Sequence, residues 1–325
     1  MLRALRDKCR SATGGRWSLP AARATLFLAL LAVITTTAYF HLTRMDNDSS
    51  VLAVISGHAK PPVQHRPLTP AIVGLAIRST SWSVSRAEMY VNFAAMIVAF
   101  TVFFRYLRRF YEAPEAWIGV LLLSLSLICG ALQKVAYSVG DRGGRMPADL
   151  TQVMFFVVLL WVIFFEQKWL LWYFLFVAAT FNRETTVTLI PVLFLAWKET
   201  AGKARAALHG AASVALFAAI EAGLFYLYPG KSHERAYVWN LEIWLHPSFQ
   251  AILSLAIVFA GSWLFLSRLK ALPRQQQIAL WCIPPYFAAI ALWGLINELR
   301  VWNELSVVVI PLAVAGMRGR VRAAN

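Results

Sequence analysis

Seven apolar runs of 17 residues or more recur along this chain of 325 residues, at 24–43, 88–107, 116–133, 149–165, 206–228, 249–267 and 278–296. A hydrocarbon core ~30 Å thick takes ~20 apolar residues to cross as a helix, so runs of this length predict a polytopic membrane protein. The expected fold is all-α, a polytopic transmembrane helical bundle. Three shorter runs, 169–181, 185–198 and 305–316, bring the expectation to ten hydrophobic segments. A hydrophobic share of 59% agrees with this class, because soluble domains stay near half. One transmembrane domain is expected over 24–316, flanked by a basic N-terminus at 1–23 and a basic tail at 317–325. Residues 24–43 read as an uncleaved anchor rather than a removed signal, since the basic region before them is long and no clean cleavage site follows.

A net charge of +15 invites a nucleic-acid reading, and the position of the basic residues argues against it. With the N-terminus placed in the cytoplasm, 19 of the 31 Lys and Arg fall on cytoplasmic segments, and 10 of the 16 Asp and Glu fall on the opposite side. That bias is the positive-inside pattern, so the expectation is a multi-pass protein with both termini cytoplasmic and no nucleic-acid partner. Carboxylate chemistry, on this topology, is extracytoplasmic.

The runs 169–181 and 185–198 hold 13 and 14 positions, too few to span, and between them stands Asn182-Arg183-Glu184-Thr185. Reading the pair as a single kinked span would invert the charge bias of everything downstream. The charge distribution therefore predicts a helical hairpin over 169–198, leaving and returning to the cytoplasmic side with its charged tip directed outward. A cap could use Glu184 at the positive end of the second arm and Asn182 or Thr185 on freed backbone groups. A charged pair between apolar arms also suits a site, in which Arg183 meets a phosphate as a planar fork.

Further polar groups stand out by position. Asp46 and Asp48 follow the first span directly; two carboxylates at this spacing can converge on Mg²⁺ or Mn²⁺, or one can act as base on a hydroxyl. A solvated Asx-turn would look the same. Residues 44–87 form the largest outer loop, in which Leu68 to Ile77, flanked by Arg66 and Arg78, suit an interfacial helix better than a span. Asp149 opens a span where the helix dipole favours a carboxylate. Glu298, Arg300 and Glu304 gather before a short final run, and Glu221 stands alone inside a span. The cysteines and histidines show neither a disulfide framework nor metal-ligand spacing.

Taken together these motifs resemble the bacterial integral-membrane glycosyltransferases of the GT-C type. The resemblance is carried by Asp46-Asn47-Asp48 after the first span, Arg66-Pro67-Leu68-Thr69-Pro70 opening an interfacial helix, and Asp149 before a span. It is carried also by Asn182-Arg183-Glu184-Thr185 with Pro191 beyond it, and by Glu298, Arg300 and Glu304 ahead of Pro311. It implies an enzyme of the bacterial inner membrane that moves a sugar from a polyprenyl-phosphate donor to an extracytoplasmic glycan or lipid acceptor by inverting transfer. Asp46 and Asp48 would be the catalytic or metal-binding pair. Arg66, Asp149, Arg183, Glu184, Glu298, Arg300 and Glu304 would bind substrate. Two other classes compete: a transporter or flippase using the hairpin tip and Glu221, and a non-catalytic subunit of an envelope-glycan complex. Absence of an internal repeat weighs against the first. The second predicts that neutralising Asp46 and Asp48 leaves function intact.

Overall fold

The structure, a computed structural model, describes residues 21–45, 50–59, 63–137, 144–228, 245, 269–293 and 302–323. It is a bundle of α-helices, as the apolar runs predict. The first helix, α1 (Ala21–Leu42), leads into a two-residue strand, β1 (Arg44–Met45). A short helix, α2 (Val51–Ile55), precedes α3 (Leu68–Ser79), and α4 (Val84–Arg108) and α5 (Ala113–Tyr137) follow. Strand β2 (Gly144–Arg145) pairs in parallel with β1 and delivers the chain to α6 (Asp149–Trp161).

Five of the described helical stretches are long and apolar enough to cross a membrane: Ala22–Leu42, Val84–Arg108, Ala113–Leu132, Asp149–Glu166 and Lys203–Leu227. Each coincides with an expected span. The remaining expectations fare differently: the run 249–267 lies outside the described residues. The run 278–296 is divided into α10 (Arg274–Ala279), a 3-10 turn at Leu280–Cys282 and α11 (Ile283–Trp293). Pro284 and Pro285 explain the break, because proline fits the first turn of a helix but removes a donor and clashes further in. The short run 305–316 belongs to a longer helix, α12 (Asn303–Ala323).

The predicted hairpin is present. After α6 the chain makes a π turn over Val162–Glu166 and stops at Gln167, whose φ of 50° is left-handed. From that corner α7 (Trp169–Asn182) runs away, Arg183 is extended, a 3-10 stretch covers Glu184–Leu189, and α8 (Ile190–Thr200) returns. Pro191 in the first turn of α8 accounts for the restart of α-helix there. The return is anchored by Trp197, whose Nε1 donates to the Ile163 carbonyl at 3.2 Å, back beside the corner where α7 began. Tyr173 early in α7 and Trp197 late in α8 both meet His209 of α9 (Lys203–Leu227), which lies along the two arms.

Helix α4 packs on α1 and α6, and α12 packs on α5. Phe100, Phe103, Phe156, Trp172 and Phe176 lie buried in one continuous core. Polar threads join the helices inside it: Thr35 to Ser124 at 2.6 Å between α1 and α5, and Ser126 to Ser306 at 2.6 Å between α5 and α12. In an apolar surround such hydroxyl pairs add directional ties to packing, each worth about 0.6–2 kcal/mol. The two ends of the bundle differ in chemistry. Exposed Lys168 and Arg274 mark one end, where Arg109 also lies over the rings of Trp161 and Phe165. The opposite end carries the hairpin tip, the start of α6, the start of α12 and the end of α1.

Candidate functional site

Three of these elements, the hairpin tip, α6 and α12, bring their charged residues together at this second end of the bundle. Arg183, at the hairpin tip, places Nη1 2.8 Å from Glu304 Oε1 and 3.7 Å from Asp149 Oδ1. Glu304 opens α12 and Asp149 opens α6, so both carboxylates also lie at positive helix ends. Each carboxylate accepts from a tyrosine: Tyr39 Oη donates to Asp149 Oδ2 at 2.7 Å, and Tyr286 Oη donates to Glu304 Oε2 at 2.6 Å. The Met146 amide donates to the same Asp149 oxygen at 3.1 Å, which carries the order of the β1–β2 bridge into the site.

Beside this cluster lies a second ion pair. Arg66, in the turn before α3, grips Glu184 with two nitrogens, Nε at 3.0 Å from one carboxylate oxygen and Nη2 on the other. A guanidinium and a carboxylate meeting in this forked way give the most directional of protein ion pairs. Burial pushes the Glu184 carboxyl up, but the charge and hydrogen bonds of Arg66 outweigh it, and Arg183 adds to them, holding the group down at about 2. Glu184 therefore stays a carboxylate across the neutral range.

Beneath the charges runs a neutral network. Asn182 Oδ1 accepts from Thr69 Oγ1 at 2.5 Å and lies 3.1 Å from Thr151 Oγ1, while its Nδ2 donates to Gln152 Oε1 at 3.0 Å. Gln152 in turn donates to Thr186 at 3.1 Å. The tip is thus tied to α3 and to the first turn of α6 through side chains that are all buried.

Of the residues singled out from sequence, Arg66, Asp149, Arg183, Glu184 and Glu304 meet at this end. Asp46, Asp48, Glu298 and Arg300 lie outside the described residues. Sequence reading missed Tyr39, Thr69, Thr151, Gln152 and Tyr286 as members. The available signal was weak: Thr151 and Gln152 are polar positions in the first turn of an apolar run, where hydration and burial are equally compatible.

No family model, no curated protein and no solved structure matches this chain.

The charges are not equally open. The Asp149 and Glu304 side chains are 2% and 1% exposed, Arg66 and Arg183 are 7% exposed, and Glu184 is 30% exposed. Glu184 is the carboxylate of this group that a molecule arriving from outside could touch without displacing a neighbour. Three carboxylates face two guanidiniums, so the group carries an excess negative charge when all are ionised. Among the described residues no set of three or more His, Cys, Asp or Glu converges to hold a metal ion. Each carboxylate here is already committed to a guanidinium or a phenol, so the described donors do not form a site for Mg²⁺ or Mn²⁺. That expectation rests on Asp46 and Asp48 alone.

Proposed function

We propose that this chain is an integral membrane glycosyltransferase that moves a sugar from a polyprenyl-phosphate donor to an acceptor hydroxyl at the Arg66–Glu184 end of the bundle. The observation that carries the reading is the convergence of Arg66, Asp149, Arg183, Glu184 and Glu304, from four segments of the chain, at the end of the bundle that holds β1, which Asp46 and Asp48 follow in sequence. A membrane protein bears the cost of burying charge when the charge has work to do or a partner to meet, and here five charged groups share one place.

In this reading the acceptor oxygen attacks the anomeric carbon as the bond from that carbon to the phosphate oxygen breaks. The electron pair leaves with the phosphate, and a carboxylate of Asp46 or Asp48 takes the acceptor proton. Arg66 is the guanidinium placed beside the open carboxylate, and in this reading it shifts from Glu184 to neutralise the negative charge growing on the departing phosphate. Glu184, held ionised, orients the acceptor through its exposed edge. A divalent cation, if Asp46 and Asp48 bind one, would add charge neutralisation at the same phosphate. Asp149, Glu304 and Asn182 hold the tip at its height in the bundle.

The test is the envelope-glycan and lipid-linked-sugar profile of a strain lacking the gene, complemented at matched membrane levels with the wild type, Asp46→Asn/Asp48→Asn or Arg66→Gln. Transfer at this end requires that the wild type restore a missing sugar and that both variants leave its lipid-linked donor to accumulate. Full restoration by the double aspartate variant sinks the proposal and moves the non-catalytic subunit ahead. Accumulation of a substrate on the wrong leaflet, with transfer intact, moves the transporter ahead.

A further inference from the structure

A groove of about 370 Å³ opens between α2 and α3 and runs from Pro67, next to Arg66 in the chain, to Arg78. Ile55 lines one side, Pro70, Ala71 and Leu75 the other, and Tyr228, just past α9, closes an end. Gly74 lets the two helices approach this closely: a Cβ there would stand 2.7 Å from Ile55 Cδ1. Arg78, exposed in the last turn of α3, is the only charged residue in the lining among the described residues.

The surface around the groove stays apolar. Leu75 is 68% exposed, and exposed Leu52, Ile72, Tyr226 and Leu227 carry the same character outward onto α2, α3 and the end of α9. An apolar slot, continuous with an apolar surface and ending at one cation, matches an amphiphile with a hydrocarbon chain and an anionic head. Leu68 and Arg78 are ~15 Å apart along the helix axis, so a headgroup on Arg78 is remote from Arg66 and Glu184. The Arg78 end of the groove is therefore distinct from the ion cluster, and the headgroup placed there does not depend on the transferase reading.

We propose that the α2–α3 groove holds one hydrocarbon chain of an anionic phospholipid, whose phosphate pairs with Arg78. A basic side chain at an anionic membrane surface favours such a lipid about fivefold over a zwitterionic one. The apolar wall holds the chain by burial alone and does not distinguish headgroups.

The full-length protein with p-benzoylphenylalanine at position 75, reconstituted in equal parts phosphatidylglycerol and phosphatidylcholine, tests this directly. After irradiation the adducts are identified by mass. The expected result is a lipid adduct enriched about fivefold in phosphatidylglycerol. Arg78→Ala should abolish the enrichment while leaving the phosphatidylcholine adduct, and Ala71→Trp, which fills the slot, should lower both. Arg78 is exposed and makes no described packing contact that its removal would break, so a folding failure of the tryptophan variant leaves the headgroup test standing. The proposal is overturned if wild-type adducts show no headgroup preference, if Arg78→Ala leaves the preference unchanged, or if position 75 cross-links to this chain or to another protein instead of lipid.

Discussion

Arg183 crosses from the hairpin tip to Glu304 at the head of α12, Nη1 to Oε1 at 2.8 Å, with both side chains almost fully buried. Burying two charges costs several kcal/mol each, which their attraction offsets only while both are present. Arg183→Met should thus destabilise the protein by about 3–5 kcal/mol, since it strands Glu304 and Asp149 together. Adding Glu304→Gln to that variant removes one stranded charge and should recover part of the loss. Thermal unfolding of the purified protein in detergent reads both, and losses that simply add would show that the pair is not coupled.

The two tyrosines make a matched expectation. Tyr39 and Tyr286 each donate to a buried carboxylate, and a hydrogen bond to a charged group contributes about 1.5–3 kcal/mol. Tyr39→Phe and Tyr286→Phe keep the ring and its packing, so their cost isolates the hydroxyl. Tyr39→Phe should loosen α1 from α6, and Tyr286→Phe should loosen α11 from α12. An unfolding midpoint equal to wild type in both variants would mean that the carboxylates find their donors elsewhere.

Why these ties escaped the sequence while the helices did not is a matter of range. The spans at 88–107, 149–165 and 206–228 are set by local apolar length and reappear as Val84–Arg108, Asp149–Glu166 and Lys203–Leu227. The hairpin followed from arm length and charge bias, and Arg183 and Glu184 could be flagged because a charge between apolar arms is costly anywhere. Their partners are another matter. Tyr39 meets Asp149 across 110 positions and Thr69 meets Asn182 across 113, and nothing local to either residue marks the other. A tyrosine near the end of a span is equally at home at a membrane interface, and a threonine beside proline equally caps a helix. The final apolar run, 305–316, is short, although the helix that holds it continues to Ala323 because Gly316 and Arg318 end the apolar run without ending the helix.

Acid should act on the Arg66–Glu184 pair in a defined window. The Glu184 carboxyl is lowered from 4.5 to about 2 against the pull of burial, chiefly by the charge and hydrogen bond of Arg66. A carboxyl depressed in the folded state adds stability that is complete above its unfolded value and is lost as pH falls through the folded one. The stability gap between wild type and Arg66→Gln should therefore be level from neutral pH to about 5, and should shrink below the ordinary carboxylate range as Glu184 protonates. Unfolding midpoints measured side by side down to pH 3 give the gap directly. A gap that widens on acidification would contradict the assignment of Glu184 as the ionised partner.

At the tip itself, Asn182 is fixed by what its two ends demand. Its oxygen faces two threonine hydroxyls, and its nitrogen faces the oxygens of Gln152 and Ala148 at 3.0 and 3.4 Å. Asn182→Asp has the same shape but sets an oxygen against those two acceptors, so the buried bond becomes a repulsion and about 1–3 kcal/mol or more is lost. Because the network ties the tip to α3 and to only the first turn of α6, the loss should be local first. Hydrogen exchange should rise across 183–189 while the amides of α4 stay protected, and the Arg66–Glu184 pair should weaken with it. Uniform exchange across both regions would instead place Asn182 in the global folding core, and unchanged exchange would show that the carboxylate is accommodated without opening the tip.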